Sequence, residues 1–237
     1  MRIEVAVHPR EIEYISLQGK TVVVYDVLRA SSTITAALAA GAAGVCPVLE
    51  PQEALAKKAL HDNALLGGER GGVKIPGFDL GNSPLEYEPA RVQGKLLIMT
   101  TTNGTKALQA AAAGKEVYVG SLLNGPTLAE HIWNHNPGDV VLFCAGENGR
   151  TALEDLLGAG YLAYDLHGRG AQLADDGARL AYEHYLRCQA GLPGVMEEFH
   201  HSVELIELGF GRDVEYCAQV GLLDVVPRLE AGVVRRV

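Results

Sequence analysis

The chain has 237 residues, 48% of them hydrophobic, enough to bury one large core or two closely packed halves. Its 20 Lys and Arg against 29 Asp and Glu leave a net charge of −9, which argues against binding of nucleic acid and requires any anionic substrate to be captured locally. Residues 1–20 carry acidic side chains and no apolar stretch of signal-peptide length, and no later run is long enough to span a bilayer, so a cytoplasmic protein is expected. Cys46, Cys144, Cys188 and Cys217 lack CxxC spacing, which indicates neither a zinc site nor a disulfide framework.

Taken in order, Ile3, Val5 and Val7 alternate with polar residues, as in an opening strand at a sheet edge. Residues 22–41 run from the strand-like Val22 to Tyr25 through a polar loop into a helix beginning at Ser32 or Thr33, with Gly41 as its C-cap. Asp26 stands directly after the strand, where capping alone does not account for an acid. A short strand at 44–49 and a helix opened by Pro51 follow. The segment 67–87, GGERGGVKIPGFDLGNSPLEY, is too rich in Gly and Pro for regular structure. A loop that long in a compact domain points to function.

Residues 96–114, LLIMTTTNGTKALQAAAAG, and 140–160, VVLFCAGENGRTALEDLLGAG, echo the first unit, with Thr33, Thr105 and Thr151 aligned and Gly41, Gly114 and Gly160 in near register. Three strand-loop-helix units predict a parallel α/β sheet that binds its ligand beyond the carboxyl ends of the strands, with three helix N-termini forming an anion site. Val117 to Val119 read as another strand, and Thr127 as the cap of a helix holding Trp133. An amphipathic helix follows the Asp-Asp-Gly break, and the tail reads as a helix and a final short strand. His167 and His184 are isolated, while His200 and His201, being adjacent, point from different helix faces, so all four are expected to be solvated or capping. No low-complexity linker divides residues 1–237, which are taken as one domain.

Two chemistries compete in the loops. Cys144 to Thr151 has the Cys-x5-Arg-Thr spacing with which cysteine phosphatases wrap a phosphate, but Glu147 would set a like charge inside that cradle, so a buried, structural Cys144 is favoured. Against it stand the carboxylates Asp26, Glu69, Asp79, Glu147, Glu154 and Asp155, in or just after the same loops. A few such oxygens, completed by water and phosphate, suit Mg2+. Glu154 also fits a capping box with Thr151, and Asp155 a helix first turn.

The segments DVLRASST, GGERGGVKIPGFDLGNSP, TTNGT and CAGENGRTALED, in this order and spacing, resemble the 2-phosphosulfolactate phosphatase family, and the similarity extends to GFGRDVEYC and DVVP near the end. The resemblance implies a three-layer α/β/α protein and a Mg2+-dependent phosphatase that converts 2-phosphosulfolactate to 3-sulfolactate, a step of coenzyme M synthesis. Together with the loop chemistry it implies Mg2+ held by Asp26 and one or more of Glu69, Asp79, Glu154 and Asp155. Arg29 and Arg70 would neutralise the anionic ends of the substrate. Donors would come from Ser31, Ser32, Thr33, Asn82, Thr101, Thr102, Asn103, Gly104, Thr105 and Gly146. Arg150-Thr151-Ala152 departs from the family pattern. A non-catalytic anion-binding module remains the alternative of a different class, and homo-oligomerisation stays open.

Overall fold

The computed structural model describes residues 1–136 and 138–237. Its first half contains β1 (Arg2–Ala6), β2 (Thr21–Tyr25), α1 (Ala30–Ala39), β3 (Gly44–Pro47), α2 (Pro51–Lys58), β4 (Ala64–Arg70), β5 (Val73–Lys74), α3 (Pro89–Val92), β6 (Leu96–Thr100) and α4 (Gly104–Ala110). Then come β7 (Glu116–Gly120), α5 (Gly125–His135), β8 (Val140–Cys144), α6 (Leu153–Gly168), β9 (Gln172–Leu173) and α7 (Asp176–Cys188). The chain closes with α8 (Leu192–Glu197), α9 (His200–Glu207), α10 (Gly211–Cys217), β10 (Pro227–Glu230) and β11 (Val233–Arg236).

One sheet runs in the order β5-β4-β6-β3-β11-β10-β7-β2-β8-β1-β9, with helices on both faces. The strands β4, β6 and β3 are parallel to one another, as are β7, β2, β8, β1 and β9. Between these groups lies the β10–β11 hairpin, antiparallel to β7 on one side and to β3 on the other. The sheet is therefore mixed rather than wholly parallel, and strand direction inverts between its two halves. The expected single C-terminal strand is this hairpin, and β1 lies inside β9 rather than at the edge.

β2 has no exposed residue, because Val23 and Tyr25 face the core shared with α5, α6 and α7 while Val22 and Val24 face the core shared with α1 and α4. The α1–α4 core also receives Val45, Leu97 and Met99 from the other half of the sheet. The sheet thus curls around α1 and α4, and this brings the carboxyl ends of β2 and β6 together.

Several local expectations are corrected by packing. α1 begins at Ala30, and its cap position is Arg29 with no side-chain cap bond. Gly160 does not end the third helix. It lies within α6, where a Cβ would stand 2.2 Å from the Ala181 carbonyl oxygen, so glycine serves the contact with α7. The 67–87 segment is not wholly irregular, since β4 and β5 pair within it. Gly67 and Gly68 belong to β4, where Cβ atoms would stand 2.4 Å from Tyr87 Oη and 1.9 Å from Thr100 O. Thr127 lies inside α5 and hydrogen-bonds Asp224, while the α5 cap position, Asn124, and the α6 cap position, Ala152, make no side-chain cap bond, so the Thr151–Glu154 capping box does not form.

Candidate active site

A cleft of about 430 Å³ opens at the carboxyl ends of β2, β4, β6 and β8, and α9 forms the facing wall. Asp26 lies at its floor. The backbone dictates its orientation, since Ala30 N–H donates to its Oδ1 (3.1 Å) and its own N–H donates to Ser31 Oγ (2.8 Å). The first residue of α4, Gly104, comes so close that a Cβ would stand 2.7 Å from Asp26 Oδ2. Burial is the main cause that lifts the Asp26 carboxyl to about 7. The Ala30 bond opposes the rise, Glu69 and Glu147 add to it, and His201 counters it.

Glu69, at the end of β4, is held by Thr102, whose N–H donates to Oε1 (2.7 Å) and whose hydroxyl donates to Oε2 (3.2 Å), and by Gly72 N–H (3.0 Å). These bonds tie the glycine-rich segment to the loop after β6. Glu147, from the loop after β8, accepts from Asn103 Nδ2 (2.7 Å) and Asn148 Nδ2 (2.7 Å). Its carboxyl is raised by burial, with His201 opposing. Asn82 also lines the cleft, and its Oδ1 is buried without a hydrogen-bond partner among the described residues. Asp26 and Glu69, from separate segments, together with the spare Asn82 amide oxygen, form an all-oxygen donor set. Asp26, Glu69 and Asn82 thus offer oxygen donors of the kind that Mg2+ takes.

The remaining expected residues fall into two groups. Thr102, Asn103 and Asn82 line the cleft, and Arg29 does so with its charge already paired. Its Nη1 meets Asp213 Oδ2 at 2.7 Å, its Nη2 donates to Gly72 O at 2.5 Å, and its guanidinium stacks 4.0 Å above Phe210. Arg70, Asp79, Ser31, Ser32, Thr33, Thr101, Thr105 and Gly146 are not brought to the cleft surface. Arg70 turns away to Leu49 O and Thr100 Oγ1, and Asp79 pairs with Lys58 at 2.6 Å. The hydroxyls of Ser31, Ser32 and Thr33 donate to Val24 O, Val27 O and Asn82 O, and Thr101 and Thr105 bond each other at the start of α4.

Asp155 is buried and binds two backbone groups, Val27 N–H (2.7 Å) and Gly146 N–H (2.9 Å), clamping the first and third loops together. Its carboxyl is driven well up by burial and by neighbouring Asp26 and Glu154. Glu154 is buried beside it, on an adjoining pocket, and burial raises its carboxyl too. Both oxygens of Asp155 are therefore held by backbone N–H groups, and unlike Asp26 and Glu69 it does not line the cleft.

Cys144 has no exposure, and burial pushes its thiol well above the usual range. The residues after it do not wrap a phosphate. Glu147 and Arg150 exchange backbone hydrogen bonds of 2.9 Å around Asn148 (φ 50°) and Gly149 (φ 73°), a tight turn of the Asn-Gly type.

Sequence reasoning missed His201. Its Nε2 lies 3.0 Å from the Leu28 carbonyl oxygen and its Nδ1 3.4 Å from Glu204 Oε2, while Glu147 Oε2 is 3.8 Å from Nε2. The spacing of His201, Leu205 and Leu208 marks one face of α9, but the bond that carries this face to the cleft spans 173 positions.

The mixed sheet flanked by helices, with a carboxylate-rich cleft at the carboxyl ends of its strands, is the framework of an α/β enzyme. The sequence model of the family described as 2-phosphosulpholactate phosphatase matches residues 7–232. A probable 2-phosphosulfolactate phosphatase of Carboxydothermus hydrogenoformans is 44% identical over 229 residues, covering 96% of this chain and 92% of the relative. Proteins of the same description from Caldanaerobacter subterraneus subsp. tengcongensis and Clostridium acetobutylicum are 44% and 38% identical. They cover 92% and 98% of this chain, and 91% and 99% of the relatives. The chain belongs to the 2-phosphosulpholactate phosphatase family.

Proposed function

We propose that the protein is a Mg2+-dependent phosphatase that hydrolyses 2-phosphosulfolactate to 3-sulfolactate and inorganic phosphate, a step of coenzyme M synthesis in organisms that make it. The observation that carries this reading is the meeting of Asp26, from the loop after β2, with Glu69 and Asn82 of the glycine-rich segment 67–87 in one cleft of a chain that belongs to this family. Asp26, Glu69 and Asn82 would hold Mg2+, which when bound offsets the charge of the phosphate oxygens.

The protein's own groups do the rest. Thr102 N–H and hydroxyl hold Glu69 in a fixed rotamer, and Gly104 leaves open the space against Asp26 Oδ2. Asn103 and Asn148 orient Glu147, whose raised pKa suits a group that accepts the proton of the attacking water. As the water oxygen bonds to phosphorus and the ester P–O bond breaks, that proton passes on to the departing 2-oxygen, which leaves as the hydroxyl of the product.

The test is release of inorganic phosphate from 2-phosphosulfolactate by the purified protein. Turnover is expected with Mg2+ and is abolished by EDTA, and Cys144→Ser retains substantial activity. EDTA-resistant turnover together with a folded but inactive Cys144→Ser protein would replace the metal mechanism with a cysteine nucleophile. Tight anion binding with no phosphate release would favour a non-catalytic module.

A further inference from the structure

A cleft lined by Asp26, Glu69, Glu147, Glu204 and Glu207 repels an anionic substrate unless cations face it. A bound Mg2+ would serve the phosphate. The substrate of the proposed reaction carries further acidic groups on its carbon chain, and these need a partner of their own. Arg29 is already bound to Asp213 and to Gly72 O, and Arg70 points away from the cleft. Among the described residues His201 is the other cationic side chain that lines it.

The contacts of His201 favour its charged form. Both ring nitrogens face oxygen acceptors, the Leu28 carbonyl and the Glu204 carboxylate, and neither acceptor has a hydrogen to give. This arrangement favours a proton on each nitrogen, the imidazolium form. The surroundings agree. Burial opposes this charge, but Glu147, Glu154, Glu204 and Asp26 together outweigh it and raise the His201 pKa.

The two contacts are unequal. The Leu28 bond is 3.0 Å long and its imidazole is only 15% exposed, so it fixes the ring plane. Glu204 sits at 3.4 Å, and its side chain is 49% exposed. A half-exposed ion pair of that length contributes little and is readily exchanged.

We propose that His201 is a specificity-determining residue that recognises the acidic group the substrate bears beside its phosphate, with Nδ1–H exchanging the Glu204 carboxylate for that of the substrate or for its sulfonate. In the free cleft Glu204 stands where the substrate anion goes. The assignment extends the proposed phosphatase reading and rests on it. It also explains how a protein of net charge −9 selects a multiply charged anion without a basic patch.

The experiment compares wild type with His201→Gln on 2-phosphosulfolactate, on 2-phospholactate, which lacks the sulfonate, and on an alkyl phosphate that lacks both further acids. Loss of one charge-assisted contact is expected to lower kcat/KM for 2-phosphosulfolactate about ten-fold more than for the alkyl phosphate, chiefly through KM. The loss on 2-phospholactate matches the larger figure if the carboxylate is the group held and the smaller if it is the sulfonate. Calorimetry with the products is expected to show weakened binding of 3-sulfolactate and unaltered binding of inorganic phosphate. A purely structural role for His201 would reduce all three substrates alike, and that result would overturn the assignment while leaving the phosphatase reading intact. Wild-type protein that turns over none of the three would remove the phosphatase reading itself.

Discussion

Asp26 is held at the floor of the cleft at a cost to the fold, and Asp26→Asn measures it. The folded state shifts this carboxyl from its ordinary 3.8 to about 7, mainly through burial. At about 1.4 kcal/mol per pH unit, the displacement corresponds to roughly 4 kcal/mol. The sign follows from proton binding. A carboxyl whose pKa is higher in the folded state favours folding when protonated, so its penalty is absent below about pH 4, grows as pH rises and is complete above about pH 7. Asn keeps an oxygen for the Ala30 N–H and carries no charge. In EDTA the variant should match wild type in urea unfolding near pH 4 and exceed it by about 2–4 kcal/mol at pH 8, while its phosphatase activity is lost. Mg2+ added at pH 8 should stabilise wild type and leave the variant unmoved. A variant no more stable than wild type at pH 8 would refute the reasoning, because Asp26 would then not be a buried charge lacking compensation.

Two further substitutions probe the scaffold of the cleft. Gly104→Ala would place a methyl 2.7 Å from Asp26 Oδ2 and 2.6 Å from Ala30 Cβ. It should lower kcat/KM at least ten-fold and cost about 1–3 kcal/mol in urea unfolding. Asp213→Asn removes the partner of buried Arg29 and weakens the 2.7 Å bond from Ser83. The uncompensated guanidinium should cost about 3–5 kcal/mol, which an unchanged unfolding midpoint would contradict.

Where the chain is locally periodic, its sequence was legible. The strand at Val22 to Tyr25, the acid that follows it and the polar loops after β6 and β8 lie where the strand-loop-helix pattern puts them, because strand, loop and helix onset are all short-range properties. What stayed hidden depends on distant partners. Nothing near Arg29 announces Asp213, 184 positions away, so its charge read as free. Glu147 read as an obstacle in a phosphate cradle, yet it is a cleft wall because Asn148 and Gly149 make a turn there. Arg70 and Asp79 share the glycine-rich segment with Glu69 and Asn82, and only the pairing of β4 with β6 decides which of the four face the cleft. The antiparallel hairpin was missed because its strands are short and half-polar, and a repeat count is blind to an insertion between repeats.

That hairpin bears on the order in which the chain can fold. β3 and β7 have no direct pairing with each other, and the strand pairing between their halves runs through a single bridge on each side, Arg228 to Tyr118 and Val234 to Val45. Both bridges come from residues 227–236, synthesised after every other strand. On the ribosome each parallel half can collapse around its own helices, but the inner edges of β3 and β7 stay uncapped until this segment emerges. Closing contacts so far apart in sequence is slow. The floor and walls of the cleft therefore lock into register only once residues 227–236 have emerged, and a nascent chain that stalls earlier presents two open sheet edges to its neighbours.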